Sequence, residues 1–362
     1  MKSFTNTRVY LLKGSVLAVC AVGVLGLVGC SAPSQTGESV QASANSVSIK
    51  IDGSSTVYPI SDAIAKEYLK TNGSKAQIDV QFSGTRAGFN KFCTGETDIS
   101  DASRPILLRE LEVCVKSGVA FIEIPIAFDA LTIAVNPKND WATDITIDEL
   151  KTMWEPLADG KIKNWNQIRA SYPNRPLKLW GAGKDSGTYE YFNEAVIGNP
   201  EASRSDYTGS EDDNAIAQGI EQDPGALGYL PYAYYEANQQ RLKALAIDSG
   251  RGSVLPARQS VEKAEYQPFA RPLFIYVNAK AAQEKPALKA FVEYYLTHAG
   301  RVSTTVGYIP LPAEGYRLAT IQFTRGEIGT VFEGISQPNV TIAELLRRQA
   351  VFQLSETRPG EQ

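Results

Sequence analysis

Histidine is nearly absent from this chain, which has one histidine among 362 residues. A hydrolase built on a serine–histidine pair would have to use His298, and no Gly-x-Ser-x-Gly motif is present to partner it. We expect His298 to be a surface residue of an amphipathic helix. The segment Gly183-Lys-Asp-Ser-Gly-Thr188 lacks the spacing of a nucleotide-binding phosphate loop. These absences argue against an enzyme.

Long runs of basic residues are also missing. The chain has 36 basic and 40 acidic residues. Removing the first 29 residues, which hold three basic and no acidic ones, leaves 33 against 40, a net charge of −7. An acidic protein without a basic stretch is a poor ligand for nucleic acid. If it binds an anion, local geometry must overcome the global charge.

Metal-ligand patterns are sparse. Glu211-Asp-Asp213 is a carboxylate cluster, but it lies in a polar loop, where it is either solvated or faces a ligand or a second lobe. The cysteine spacing fits no zinc pattern. We therefore expect no cofactor and no metal.

The first 29 residues have the pattern of a secretory signal sequence, with a basic start and an apolar stretch at 16–28 that is too short to span a bilayer. It ends in Leu27-Val-Gly-Cys30, which resembles the bacterial lipobox, where the cysteine carries the lipid. Residues 30–46 are rich in Ser, Ala, Gln and Gly and predict a flexible tether. The pattern predicts a periplasmic protein anchored to a membrane through Cys30.

Two cysteines remain in the mature fold, Cys93 and Cys114. In an exported protein, a lone pair of cysteines favours a disulfide over two free thiols. We expect this bond.

Three short Gly/Ser/Thr loops each follow a strand-like run and precede an amphipathic helix, at 52–59, 83–88 and 184–189. The first N–H groups of a helix lack partners, and its dipole is positive at that end. Ser and Thr hydroxyls add donors. Each loop alone could be an ordinary helix cap, but three together predict one site for a small tetrahedral anion. Strands that alternate with helices predict an α/β sheet, with ligands beyond the strand ends.

A fourth donor-rich turn, Ser103-Arg-Pro105, contains a candidate for the positive charge. The guanidinium of Arg104 could hold two anion oxygens, or it could form a structural ion pair.

Six motifs together resemble the PstS-type phosphate-binding proteins of bacterial phosphate ABC transporters. They are Asp-Gly-Ser-Ser-Thr-Val-Tyr-Pro at 52–59, Phe-Ser-Gly-Thr-Arg-Ala-Gly at 82–88, Gly-Glu-Thr-Asp-Ile-Ser-Asp-Ala-Ser-Arg-Pro at 95–105, Gly-Lys-Ile-Lys-Asn-Trp at 160–165, Lys-Asp-Ser-Gly-Thr at 184–188 and Gly-Ala-Leu-Gly-Tyr at 225–229. The resemblance runs from about residue 47 to the C-terminal region. Each motif is weak alone, but their order and spacing are specific.

The resemblance implies a two-lobed type II periplasmic binding protein with a two-strand hinge. Lobe one would comprise 47–135 plus 274–362, and lobe two 136–273. It implies a monomer that captures inorganic phosphate between the lobes and delivers it to the permease subunits. Sulfate or another oxyanion is the alternative ligand, and an exported phosphatase is a more distant alternative.

Carried over by motif, the ligand groups would come from all four donor-rich segments. The implied phosphate-binding residues are Ser55, Thr56, Val57, Thr85, Ser103, Arg104, Ser186, Gly187 and Thr188. The family's best-known branch has a proton-accepting carboxylate where this chain has Ser103, and an arginine where it has Ala182. The acceptor for the phosphate proton is therefore open among Asp101, Asp185 and Asp213.

Overall fold

The computed structural model describes residues 48–72, 77–335 and 337–356. The predicted signal sequence (1–29), the tether (30–46) and the lipidation residue Cys30 lie outside these ranges and stay predictions. Among the described residues, none of the helices combines the length and apolar character needed to cross a bilayer.

Strands and helices alternate along the described chain, which confirms the predicted α/β class. The strands are β1 (Ser48–Gly53), β2 (Gln77–Val80), β3 (Ile99–Ala102), β4 (Phe121–Val135), β5 (Asp144–Thr146), β6 (Lys178–Ala182), β7 (Thr208–Ser210), β8 (Ala226–Pro231), β9 (Lys243–Ala244), β10 (Ala246–Asp248), β11 (Ser253–Val254), β12 (Ala270–Asn278) and β13 (Ile309–Pro310). The helices are α1 (Tyr58–Asn72), α2 (Thr85–Cys93), α3 (Leu108–Lys116), α4 (Ile147–Trp154), α5 (Gly187–Ile197), α6 (Asp213–Gln222), α7 (Tyr232–Ala237), α8 (Arg258–Glu262), α9 (Ala279–Glu284), α10 (Pro286–Thr305), α11 (Ala313–Arg325) and α12 (Ile342–Glu356).

The main sheet has the strand order β2-β1-β3-β12-β4-β8-β6-β7, and β9 and β13 also pair with β4. Strand β1 runs parallel to β2 and β3, and β6 runs parallel to β7 and β8. Between these two parallel groups, β12 and β4 pair antiparallel. Strands that precede the Gly/Ser/Thr loops therefore lie in both halves of the sheet.

Strand β4 passes from one half of the sheet to the other. Its first part pairs with β12 up to Ala130, and its last part pairs with β8 from Leu131 onward. All 15 of its residues are buried, as expected for a strand covered on both faces. The changeover lies a few residues before the predicted lobe boundary at 135/136. The division into lobes itself stays a prediction.

Helix α1 illustrates how the elements bury their apolar faces. Its Ile60, Ile64 and Tyr68 share a core cluster with Phe291 and Tyr295 of α10. The spacing of these residues is the one that a helix needs to place them on one side. This packing holds the N-terminus of α1 at the end of β1.

A disulfide joins Cys93, at the end of α2, to Cys114 in α3. Closing a loop of 21 residues restricts the unfolded chain, and the usual size of this effect is about 3 kcal/mol. We expect the double substitution C93S/C114S to lower the free energy of unfolding by about this amount. Urea titration followed by circular dichroism measures the change. An unchanged midpoint and slope would show that the bond contributes no stability.

Candidate functional site

Each of the three predicted loops lies where a strand ends and a helix begins. The loop at 52–59 joins β1 to α1, the one at 83–88 precedes and opens α2, and the one at 184–189 joins β6 to α5. The N–H groups in the first turn of each helix have no partner within the helix. Some of these groups have partners at the corners, since the Tyr58 N–H donates to the carbonyl oxygen of Ser54 at 3.0 Å and the Thr188 N–H donates to Ser186 Oγ at 3.1 Å. Each corner has the positive dipole end that the sequence predicts.

The structure brings side chains of these corners into direct contact. Thr56 Oγ1 lies 3.2 Å from Thr188 Oγ1, and Thr85 Oγ1 lies 3.2 Å from Ser103 Oγ. Gly187 closes the gap between the two pairs, because a Cβ added there would lie 2.5 Å from Thr85 Oγ1 and 2.6 Å from Ser103 Oγ. All five residues are buried. A single cluster of hydroxyl groups therefore joins both halves of the sheet.

Glycine is required where the second and third loops meet. Gly84 precedes α2 with φ of 93°, a left-handed conformation that favours glycine. A Cβ there would lie 2.4 Å from the carbonyl oxygen of Asp185, which accepts a hydrogen bond from the Arg86 N–H at 3.0 Å. The two backbones approach each other closely only because no side chain lies between them.

The charged centre of the cluster is Arg271, which is not among the residues predicted from the sequence. Its Nη2 donates to Thr188 Oγ1 at 2.8 Å and to Thr56 Oγ1 at 3.3 Å. Its Nη1 donates to the carbonyl oxygen of Gly187 at 3.3 Å. The side chain is 0% exposed. One guanidinium thus contacts the first and third corners at once.

Asp129 holds Arg271 in this position. The two residues are directly opposite each other on β4 and β12, and Asp129 Oδ2 accepts from Nη2 at 2.9 Å and from Nε at 3.1 Å. The other carboxylate oxygen accepts the N–H of Tyr232 at 3.0 Å. The ring of Tyr191 packs against the guanidinium, with 5.3 Å between the ring centre and Arg271 Cζ. The sequence signal was an arginine and an aspartate inside otherwise apolar strand segments.

Arg104 is buried as well, but its donors have other partners. It forms two hydrogen bonds to Glu110, at 2.6 and 2.8 Å, and one to the carbonyl oxygen of Pro105 at 3.0 Å. Its Nε donates to Glu190. Burial disfavours the charged form, but these two carboxylates outweigh it and raise the pKa of Arg104. This is the ion-pair arrangement considered for Arg104, and its role as an anion ligand stays a prediction.

Three further predicted residues lie at the corners with local partners. Ser55 is buried, and its carbonyl oxygen accepts from the hydroxyl of Tyr234 at 3.1 Å. The N–H of Val57 donates to the carbonyl oxygen of Ser54 at 3.1 Å. Ser186 caps α5, because its Oγ accepts the N–H of Thr188 at 3.1 Å. Their predicted contacts with an anion are not tested by this geometry.

Among the three candidate proton acceptors, Asp213 is the one whose carboxyl group is influenced by the charge of Arg271. It is the first residue of α6, is 2% exposed, and its Oδ2 has no partner among the described residues. Burial raises its pKa to about 7, while a hydrogen bond from Ser55 and the charge of Arg271 act in the opposite direction. An unpartnered buried carboxyl oxygen beside these two residues can accept or donate a proton.

The other two candidates are placed differently. Asp101 is fully buried on β3, where its Oδ1 accepts from Ser61 at 2.9 Å and burial raises its pKa. The side chain of Asp185 is exposed, and its backbone makes the contacts with Arg86 and Glu211. Asp101 and Asp213 therefore remain the buried candidates.

The described residues contain no group of three His, Cys, Asp or Glu side chains arranged to hold a metal ion. His298 lies on α10, where its ring stacks on Tyr294. The cluster brings together hydroxyl groups and one guanidinium, which are groups that can hydrogen-bond a small anion.

Comparison with known proteins shows the family of the chain. A PBP superfamily domain model matches residues 39–298. Protein SphX of Synechocystis sp. is 51% identical over 334 residues, which cover 92% of this chain and 96% of that protein. The phosphate-binding protein PstS of Staphylococcus haemolyticus is 32% identical, covering 74% of this chain and 82% of its own. The crystal structure of a possible phosphate binding protein from Planctomyces limnophilus is 37% identical, with a TM-score of 0.59. The match covers 78% of this chain and 99% of that one.

The fold, the superfamily match and the solved neighbour define a type II periplasmic binding protein. The chain belongs to the PBP superfamily and, within it, to the PstS-type family.

Proposed function

We propose that this protein binds inorganic phosphate at the hydroxyl cluster around Arg271 and delivers it to the permease of an ABC transporter. The observation that carries the proposal is the Arg271 guanidinium, buried where Thr56 and Thr188 meet. A charged donor between two helix N-termini suits a small anion with several oxygens. The names of the relatives support phosphate as that anion.

Phosphate would take the place of the hydroxyl–hydroxyl contacts in the closed cluster. Thr56 and Thr85 belong to predicted lobe one, and Gly187 and Thr188 to predicted lobe two. Because the donors come from both sides, they meet only when the lobes are closed, so phosphate binding favours closure. Lipid attachment at Cys30 and a periplasmic location complete the proposal.

Asp213 is the acceptor that we propose for the phosphate proton. Phosphate keeps a proton near pH 7 and sulfate does not. An ionised Asp213 accepts a hydrogen bond from the protonated oxygen of phosphate. Sulfate has no such proton, so the carboxylate and a sulfate oxygen would face each other as two acceptors, which is unfavourable. Asp213 thus provides the selectivity that Ser103, a neutral residue, does not.

Calorimetry tests the function directly. We expect phosphate to bind and Thr188→Val to weaken binding by about 10- to 100-fold, because a hydrogen bond to a charged group contributes about 1.5–3 kcal/mol. Thr132→Val is the matched control: this hydroxyl is equally buried, and within the described part of the chain it donates to the carbonyl oxygen of Ala130 at 3.2 Å and not to the cluster. If the protein binds sulfate and not phosphate, the proposed ligand is wrong and sulfate takes its place. Equal effects of the two valine variants would remove Thr188 from the site.

A further inference from the structure

Glu190 is a buried carboxylate that accepts hydrogen bonds from three guanidinium groups. It lies in the first turn of α5 and its side chain is 1% exposed. Its Oε1 accepts from Arg86, through Nε at 2.9 Å and through Nη2, and from Arg109. Its Oε2 accepts from Arg104. None of these contacts involves the hydroxyl cluster around Arg271.

The three arginines and the glutamate come from different parts of the fold. Arg86 is on α2, Arg104 follows β3, and Arg109 is on α3, so all three belong to predicted lobe one. Glu190 belongs to predicted lobe two. Every one of these ion pairs therefore joins predicted lobe one to predicted lobe two, and separating the two lobes would break it.

A second carboxylate reinforces the contact at the surface. Glu201 accepts from Arg109 at 3.0 Å and from Arg86 at 3.2 Å, and its side chain is 60% exposed. Exposed pairs of this kind contribute little. Glu190 differs because it is desolvated, and removing one partner of a buried pair has a large effect.

The charge balance makes Glu190 dependent on closure. Within lobe one, Arg104 keeps Glu110 as a partner at 2.6 Å, so its charge stays paired when the lobes separate. The carboxylate of Glu190 has the three arginines as its ion-pair partners in the described structure. Burial disfavours its ionised form, but Arg104, Arg109 and Arg86 reverse this and lower its pKa.

We propose that Glu190 is an interlobe latch that stabilises the closed form and slows the release of the bound anion. The proposal rests on the proposed function, since it takes phosphate binding to require closure. A ligand's apparent affinity scales with the fraction of protein in the binding-competent state. A latch that raises the closed fraction therefore tightens binding without contacting the ligand.

The test compares Glu190→Gln with Glu194→Gln in the full chain. Glu194 is on the same helix, one turn further on, and is partly exposed, so the control removes the same charge from α5. Stopped-flow release of phosphate should be at least tenfold faster in E190Q and unchanged in E194Q. Arg109→Gln, a change at a side chain that is 39% exposed, should speed release in wild type and have little further effect in E190Q.

Scattering of X-rays at small angles separates failure of the latch from failure of the function. Without phosphate, E190Q should have a larger radius of gyration than wild type and E194Q. If wild type binds no phosphate, the proposed function fails and this comparison still tests the latch. Equal radii of gyration and equal release rates in E190Q and E194Q would overturn the proposed latch. If E190Q does not fold, the same readouts for R109Q decide.

Discussion

Replacing Arg271 by glutamine is expected to lower phosphate affinity by about 1,000-fold. The substitution removes two hydrogen bonds that the guanidinium would donate to the anion. At about 1.5–3 kcal/mol each they contribute about 3–6 kcal/mol, and about 4 kcal/mol within this range corresponds to about 1,000-fold. It also removes the positive charge that opposes repulsion between the anion and a protein of net negative charge. Isothermal titration calorimetry with phosphate measures the loss.

The buried partner of Arg271 needs a control of its own. Glutamine at 271 leaves Asp129 charged and unpaired inside the protein, which destabilises the fold. The double variant R271Q/D129N removes both charges, and the amide introduced by D129N keeps an oxygen for the Tyr232 N–H. We expect it to fold, by thermal unfolding, and still not to bind. Binding within tenfold of wild type, together with loss of binding in R104Q, would return the ligand role to Arg104.

Replacing Asp213 by asparagine is expected to shift the preference from phosphate toward sulfate by about 100-fold. The loss of a charged acceptor for the phosphate proton and the gain of an amide donor to a sulfate oxygen contribute in the same direction, each by about 1.5 kcal/mol or more. Competition calorimetry with the two anions at pH 8 measures the ratio. Asp212→Asn is the matched control, because Asp212 is exposed and asparagine also caps a helix.

The same carboxyl group predicts a pH dependence. Burial raises the pKa of Asp213 to about 7, so the group is an ionised acceptor above this pH and a protonated donor below it. Wild-type selectivity for phosphate over sulfate should therefore fall as the pH is lowered from 8 to below 6. In D213N this dependence should be absent. Selectivity kept in D213N and lost in D101N would make Asp101 the acceptor.

The local parts of the site could be predicted from the sequence. Each strand–loop–helix corner is encoded within a few residues by apolar periodicity and by Gly, Ser and Thr. The family motifs placed Thr56, Thr85 and Thr188 as candidates, and the structure puts their hydroxyls in one cluster with Ser103. The α/β class and the family followed from the same segments.

The charge at the centre could not be predicted in this way. Arg271 faces Asp129 because β12 pairs antiparallel with β4 in one register, and no local pattern states that register. Arg104 follows the predicted ligand Ser103 in the sequence, and this position favoured Arg104 as the charged ligand of the anion. Its carboxylate partners, Glu110 and Glu190, come from α3 and α5, and only the fold brings them to it.

A crystal structure of the protein grown with phosphate tests the central claim most directly. We predict a tetrahedral anion held by Arg271 Nη2 and by the hydroxyls of Thr56, Thr85 and Thr188, with Asp213 at hydrogen-bond distance from one oxygen. A phosphate bound to Arg104 with Glu190 displaced, and no anion at Arg271, would contradict the account.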